Sequence, residues 1–282
     1  MALHTGSMKE YIVSAEWLKE HLEDTDLIAI DTRFSLQDTN LGRKQYQEQH
    51  IPGAYYLDLN TDLSSIPQSH GGRHPLPNIS EFAAKLSAIG VNSDPASLIV
   101  VYDNARFAFA ARCWWLLRFL GHERVVLLDG GFDGWKKKGY PLTSAVPIAA
   151  SGNFVPKPNY DLIIDIEAVK QRKDLPEVVL VDSRVRERYL GEIEPIDPIA
   201  GHIPGAINYP WQEVTDSNGY IQPGEYQQNR WEKLQNKDEI IVYCGSGVTA
   251  CVNLLSLAMA RIDKTKLYVG SWSDWCSYQI DH

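Results

Sequence analysis

The 282-residue sequence predicts an α/β fold built as two tandem domains, each a parallel sheet flanked by helices. Three observations carry this expectation. Short apolar strands, rich in β-branched residues, alternate with helical stretches, the pattern of a parallel sheet covered on both faces. A set of motifs occurs twice in the same order. The stretch over 140–158 between the two sets is rich in Pro, Ser and Gly and has no period, as expected of a linker.

The repeat is explicit. Leu27-Ile-Ala-Ile-Asp31-Thr-Arg33 returns as Val178-Val-Leu-Val-Asp182-Ser-Arg184, and His50-Ile-Pro-Gly-Ala54 returns unchanged as His202-Ile-Pro-Gly-Ala206. Leu98-Ile-Val-Val-Tyr102 returns as Glu239-Ile-Ile-Val-Tyr243, and Gly131-Phe-Asp-Gly-Trp135 as Gly270-Ser-Trp-Ser-Asp-Trp275. Long, ordered spacing of this kind marks a duplicated domain rather than a solenoid. The expected boundaries are a first domain over 8–142, a linker over 143–160 and a second domain over 161–282.

Each half reads alike. A first helix (14–23; 166–172) precedes an apolar strand ending in Asp. An irregular polar segment leads to the His-Ile-Pro-Gly-Ala turn. A helix follows (80–89; 225–234), then a second apolar strand, a loop, a long apolar helix and a last strand (125–128; 266–269). Ser14 and Ser80 suit helix starts.

Composition bounds the function. Apolar content of 44% and charged content of 22% fit a globular protein. A formal net charge of -9 without a basic run argues against nucleic acid or anionic membrane as partner. Cys113, Cys244, Cys251 and Cys276 show neither paired nor zinc-type spacing, so no structural metal is expected, and the usage fits a reducing, cytoplasmic compartment. No apolar run reaches membrane-span length and no signal-peptide pattern is present. Residues 1–7 read as an expression leader, with Met8 as the native start.

The stretch Glu239-Ile-Ile-Val-Tyr-Cys244-Gly-Ser-Gly-Val-Thr-Ala-Cys-Val-Asn253 reads as strand, Gly-rich loop and helix, with a thiol at the first loop position. Such a loop turns backbone N–H groups toward its centre, and the helix start adds partial positive charge. Both favour thiolate, the reactive form. A free Cys is ordinarily a small core residue; the glycines on the helix side are hard to explain by packing, so Cys244 is read as a nucleophile. In the first half, Asp103 occupies the equivalent place and Asn104-Ala-Arg-Phe-Ala108 follows without glycine. That loop is expected to lack both nucleophile and anion nest, leaving one active site, at the strand carboxyl ends of the second half and facing the inter-domain cleft.

The paired motifs and Cys244-Gly-Ser-Gly-Val-Thr249 resemble the two-domain rhodanese and 3-mercaptopyruvate sulfurtransferase family over nearly the whole chain. The resemblance implies two rhodanese-like domains, the first inactive, and a catalytic Cys244 that takes sulfur as a persulfide from a small anionic donor. It passes that sulfur to cyanide, a thiol or a thioredoxin-like acceptor, without a cofactor. The loop residues Gly245, Gly247, Val248 and Thr249 would cradle the donor, and Arg188 matches the family's substrate-binding Arg; its fork suits carboxylate or sulfonate. Arg73, in Gly71-Gly-Arg-His-Pro75, is a second candidate or plain loop surface. Arg184 is read as structural. A Gly-Ser-Gly-Val-Thr loop points toward mercaptopyruvate-preferring members, in which Ser246 relays a proton and pairs with a first-half His, here His50; the exact repeat of His50 at His202 favours a turn role instead. Where that group carries a second substrate Arg, Glu192-Ile-Glu-Pro-Ile-Asp197-Pro198 carries Asp, so thiosulfate and mercaptopyruvate both stay open. The alternatives are a cysteine phosphatase-like enzyme, which needs an Arg where Ala250 stands, and a non-catalytic rhodanese-like regulatory module.

Overall fold

The computed structural model describes residues 11–148 and 151–279. The leader and start expected at 1–8, linker positions 149–150 and the end of the second domain at 280–282 lie outside the described residues. The chain forms two compact units. They depart from a single cut at the linker in two short segments: Ser65–Leu76 belongs to the unit built from the second half, and Ser217–Ile221 to the unit built from the first.

The first unit contains β1 (Ile12–Val13), α1 (Ala15–His21), β2 (Leu27–Asp31), α2 (Leu41–Glu48), β3 (Tyr55–Tyr56), α3 (Ile79–Ala88), β4 (Leu98–Tyr102), α4 (Ala110–Phe119), β5 (Val125–Leu128) and α5 (Gly131–Lys137). Its sheet has the order β1-β5-β4-β2-β3, all parallel. The second unit repeats this with β6 (Ile163–Ile164), α6 (Ile166–Arg172), β7 (Val178–Asp182), α7 (Arg186–Leu190), β8 (Ile207–Asn208), α8 (Gly224–Trp231), β9 (Glu239–Tyr243), α9 (Ala250–Met259), β10 (Thr265–Tyr268) and α10 (Ser271–Ser277). Its order, β6-β10-β9-β7-β8, is again all parallel.

The continuous apolar runs became the central strands for a simple reason. β4 and β9 are flanked by strands on both edges and buried along their whole length, so no position tolerates a polar alternation. The long apolar helices α4 and α9 are buried almost all round. Ser14 caps α1, its Oγ accepting from the Trp17 N–H at 3.1 Å. α3 starts earlier than expected because Asn78, not Ser80, is the cap: its Oδ1 accepts from the N–H groups of Ser80 and Glu81.

The segments expected to be irregular before each His-Ile-Pro-Gly-Ala turn contain helices α2 and α7. The turns themselves are tied to the sheet. The Ile51 N–H donates to the Tyr102 hydroxyl at 3.3 Å, and the Ile203 N–H to the Tyr243 hydroxyl at 3.1 Å. Each turn His stacks on a tyrosine from the preceding helix, His50 on Tyr46 at 4.0 Å and His202 on Tyr189 at 3.9 Å between ring centroids. The repeated motif is therefore a structural joint in both halves.

Candidate functional site

β9 ends at Tyr243 and delivers Cys244, which is 1% exposed, at the carboxyl edge of the second sheet. The loop runs to Thr249 before α9 begins. The start of α10 fixes it from one side. The Cys244 N–H donates to Ser271 Oγ at 3.1 Å, Trp272 N–H to the Cys244 carbonyl at 3.0 Å, and Ser273 N–H to the Gly245 carbonyl at 2.9 Å. Gly247 takes φ +74°, and a Cβ there would lie 2.3 Å from the Val269 carbonyl oxygen. A Cβ on Gly245 would lie 3.2 Å from Arg73 Nη2 and 3.5 Å from both terminal nitrogens of Arg188. The bare glycine therefore lets two guanidinium groups approach the residue next to the thiol. Val248 is buried, and the carbonyls of Val248 and Thr249 take the first N–H donors of α9, from Cys251 and Val252 at 3.1 Å.

The equivalent loop of the first unit corrects one expectation. It does form an anion nest, and Asp103 fills it. The Asp103 carboxylate accepts from the N–H groups of Ala105, Phe107, Phe109 and Ala110 at 2.9–3.1 Å. Glycines are not required there: Arg106 and Phe107 adopt φ 59° and 69° themselves. The same strand–loop–helix frame thus ligates a negative group through its own backbone. Replacing Asp103 by Ala orphans four donors, three of them buried; at 1–3 kcal/mol for each buried group left unpaired, moderated by water entry, the expected loss is about 3 kcal/mol. Denaturation midpoints of D103A against D103N, which keeps an acceptor oxygen, check this: D103N should lie between D103A and the parent.

Arg73 and its neighbours reach the site because Ser65–Leu76 docks within the second unit, against α10. Gly71 N–H donates to Asp274 Oδ1 at 2.7 Å, Arg73 N–H to Ser273 Oγ at 3.2 Å, and His70 Nδ1 lies 2.7 Å from Ser277 Oγ. Gly72 permits the contact: at φ +83°, a Cβ there would sit 2.4 Å from the Gly270 carbonyl oxygen.

This docking gives Ser246 a histidine partner other than the one expected. His74 Nδ1 lies 2.8 Å from Ser246 Oγ, and both residues are buried. His50 is not the partner: it belongs to the first unit, with Nδ1 2.7 Å from the Tyr46 carbonyl and Nε2 3.1 Å from the Ala145 carbonyl. His74 was adjacent to Arg73 in the glycine-flanked stretch, which was its only sequence signal.

Three arginines and three carboxylates form one ion-pair cluster, in which Arg73 and Arg188 approach the loop at Gly245 and Arg184 is buried behind them on Asp182 and Glu194. Arg184 forms a bidentate pair with Asp182, also reaching Glu194 at 3.2 Å and the Gly201 carbonyl at 2.6 Å. Burial works against its charge, but the hydrogen bond and charge of Asp182 prevail and raise its pKa. Arg188 forks onto Glu194, Nε to Oε2 at 3.1 Å and Nη2 to Oε1 at 2.6 Å, and its Nη2 also reaches Asp197 Oδ2 at 3.1 Å. Arg73 pairs with Asp197 through Nη1 and Oδ1. Burial lowers the Arg73 pKa and the charge of Arg188 adds to that, while Cys244 and Glu194 oppose it. Glu194 and Asp197 had no assigned role in the sequence, because what they hold is set by the fold.

Burial pushes the Cys276 thiol up to about 11 and raises that of Cys113 further, so both are poor nucleophiles near neutral pH. Among the described residues, no cluster of His, Cys, Asp and Glu is arranged to hold a metal ion, and no helix is long and apolar enough to cross a membrane.

The rhodanese-like domain family matches this chain twice, over residues 14–138 and 165–278. The chain is 43% identical over 269 residues to the "Probable 3-mercaptopyruvate sulfurtransferase" of Pseudomonas aeruginosa, covering 94% of each chain. It is 34% identical over 274 residues to the 3-mercaptopyruvate sulfurtransferase of Escherichia coli K12, again covering 94% of each. Thiosulfate sulfurtransferase of Cricetulus griseus is 31% identical over 275 residues, covering 94% of this chain and 91% of the relative. Among solved structures, SseA from Escherichia coli superposes with a TM-score of 0.81 at 33% identity, covering 93% of this chain and 99% of that one.

Proposed function

This chain belongs to the two-domain rhodanese and 3-mercaptopyruvate sulfurtransferase family, enzymes that carry sulfane sulfur on a cysteine persulfide, and we propose that Cys244 is its sulfur carrier and 3-mercaptopyruvate the donor its site fits best. The observation that carries the choice of donor is the Ser246–His74 pair beside an uncharged Gly-Ser-Gly loop. Thiosulfate is the second donor.

The Cys244 thiolate attacks the donor's outer sulfur. With thiosulfate, the new S–S bond forms as the old one breaks and sulfite leaves with the electron pair. With 3-mercaptopyruvate, the C–S bond breaks and its electrons pass to the methylene carbon as pyruvate enolate. The thiol proton that mercaptopyruvate brings must leave sulfur and reach that carbon, which gives pyruvate. Ser246 Oγ, held by His74, is the group placed to pass it. Arg188 and Arg73 bind the carboxylate, and the loop amides hold the persulfide, as the first-unit loop holds the Asp103 carboxylate. A small thiophile then removes the outer sulfur: cyanide, a thiol or a thioredoxin-like protein.

Comparison of kcat/KM for the two donors with cyanide as common acceptor tests the reading. The parent should favour 3-mercaptopyruvate. Ser246→Ala should lower mercaptopyruvate turnover about 100-fold, the usual worth of a positioned acid–base group, and thiosulfate turnover far less, since that donor needs no proton transfer. Equal loss on both donors would remove the relay. The phosphatase alternative lacks support from charge placement: Ala250 stands where a phosphate-binding Arg would be needed, at the buried start of α9.

A further inference from the structure

Asp197 holds two guanidinium groups at once. One carboxylate oxygen pairs with Arg73 Nη1 and the other lies 3.1 Å from Arg188 Nη2. Its side chain is only 2% exposed. Its position is set by the backbone, because its own N–H and that of Ile196 both donate to Glu194 Oε1 at 3.1 Å. The two arginines it grips are the ones whose terminal nitrogens lie nearest the open side of Gly245, next to the thiol. Without Asp197, Arg73, Arg184 and Arg188 would face only Asp182 and Glu194 and the cluster would carry a surplus positive charge; with it, the formal charges balance.

We propose that Asp197 selects the donor by its charge: it holds Arg73 and Arg188 in one fixed fork while cancelling their surplus, so that a singly charged α-keto acid is accepted and doubly charged thiosulfate is disfavoured. The inference rests on the sulfurtransferase reading above. Its physical basis is that the attraction of an anion to the site scales with the product of its charge and the site's. A balanced cluster gives a dianion no electrostatic gain over a monoanion, and the Cys244 thiolate repels the dianion more. A surplus of one positive charge reverses the preference. The fork remains able to donate hydrogen bonds to a carboxylate, because each guanidinium has donors beyond those Asp197 uses. Asp197 acts through the two arginines and is a positioning residue, not a catalytic one.

Asp197→Asn keeps the shape and one acceptor oxygen but removes the charge. Measured with cyanide as acceptor, its ratio of kcat/KM for thiosulfate to that for 3-mercaptopyruvate should rise about tenfold at low ionic strength, the scale of one unit charge at partly screened range. The gain should shrink as added salt screens it. Asp197→Glu, which keeps the charge, should keep the parent ratio even if both values fall. An unchanged or lower ratio in D197N, or equal losses on both donors, overturns the proposal and leaves Asp197 as structural support. Intact mass of Cys244 after donor treatment separates the two levels: persulfide with an unchanged ratio sinks only the Asp197 role, whereas no persulfide with either donor, in parent or variant, sinks the sulfurtransferase reading and this inference with it.

Discussion

Arg188→Ala should lower kcat/KM for both 3-mercaptopyruvate and thiosulfate by about 100-fold or more, the loss typical of removing one preorganised donor from a reacting anion, and thiosulfate the more, because it carries the larger charge. The reason lies in how the residue is held. Arg188 is mostly buried, gripped by Glu194 through both faces of its fork, and close to the Cβ direction of Gly245. Truncation removes the cation and also leaves Glu194 and Asp197 facing the donor with less compensation. Two nearby carboxylates would then repel any anion. Arg188→Lys should recover only part of the loss, because a point charge cannot keep the bidentate contact with Glu194. Steady-state kinetics on both donors measures this; a change in one donor only would assign Arg188 to selectivity instead of to binding.

Gly247→Ala should be nearly as damaging, by a different route. The left-handed backbone costs an alanine about 1–2 kcal/mol, and Arg106 and Phe107 show that the first-unit loop accommodates that conformation without glycine. The decisive term is steric. The new methyl would meet the Val269 carbonyl oxygen at 2.3 Å. Backbone on both sides must move, and the loop carrying Cys244 moves with it. A displacement of about 1 Å is enough to cost about 100-fold in turnover. The variant should stay folded, with a lower midpoint of unfolding and little sulfur loading. A variant with parental loading would mean that the loop geometry around Gly247 is not what the chemistry needs.

The α/β architecture and the Cys244 loop were legible because their signals are local. β4, β9, α4 and α9 are continuous apolar runs, and the thiol sits at the end of one of them. Helices α2 and α7 were not legible. α2 is Leu-Gly-Arg-Lys-Gln-Tyr-Gln-Glu with only Gly42 and Tyr46 buried, so its inward face is one glycine and one tyrosine in an otherwise polar run, too little apolar content to mark it as an element. β3 and β8 are two residues long and carry no alternation. The site's polar partners failed for another reason. His74 meets Ser246, and Arg73 meets Asp197, across 172 and 124 residues of sequence. Those pairings exist because a glycine-rich segment of the first half docks within the second unit, and nothing in the local sequence says where such a segment goes. The same fact hid the histidine that meets Ser246: the sequence offered His50, whose motif is repeated and whose ring bonds within its own unit. The first-half loop was misjudged for a separate reason: the nest there is built by Arg106 and Phe107 in left-handed conformations, which sequence does not flag in non-glycine residues.

The central claim is that Cys244 carries the transferred sulfur. Intact-protein and peptide mass spectrometry after treatment with 3-mercaptopyruvate, without acceptor, tests it most directly. The account predicts one added sulfur atom per chain, located on Cys244, lost on addition of cyanide and absent from Cys244→Ser, while Cys113→Ser and Cys276→Ser load as the parent does. Sulfur found on Cys251 or Cys276 instead, or loading that survives Cys244→Ser, would contradict it.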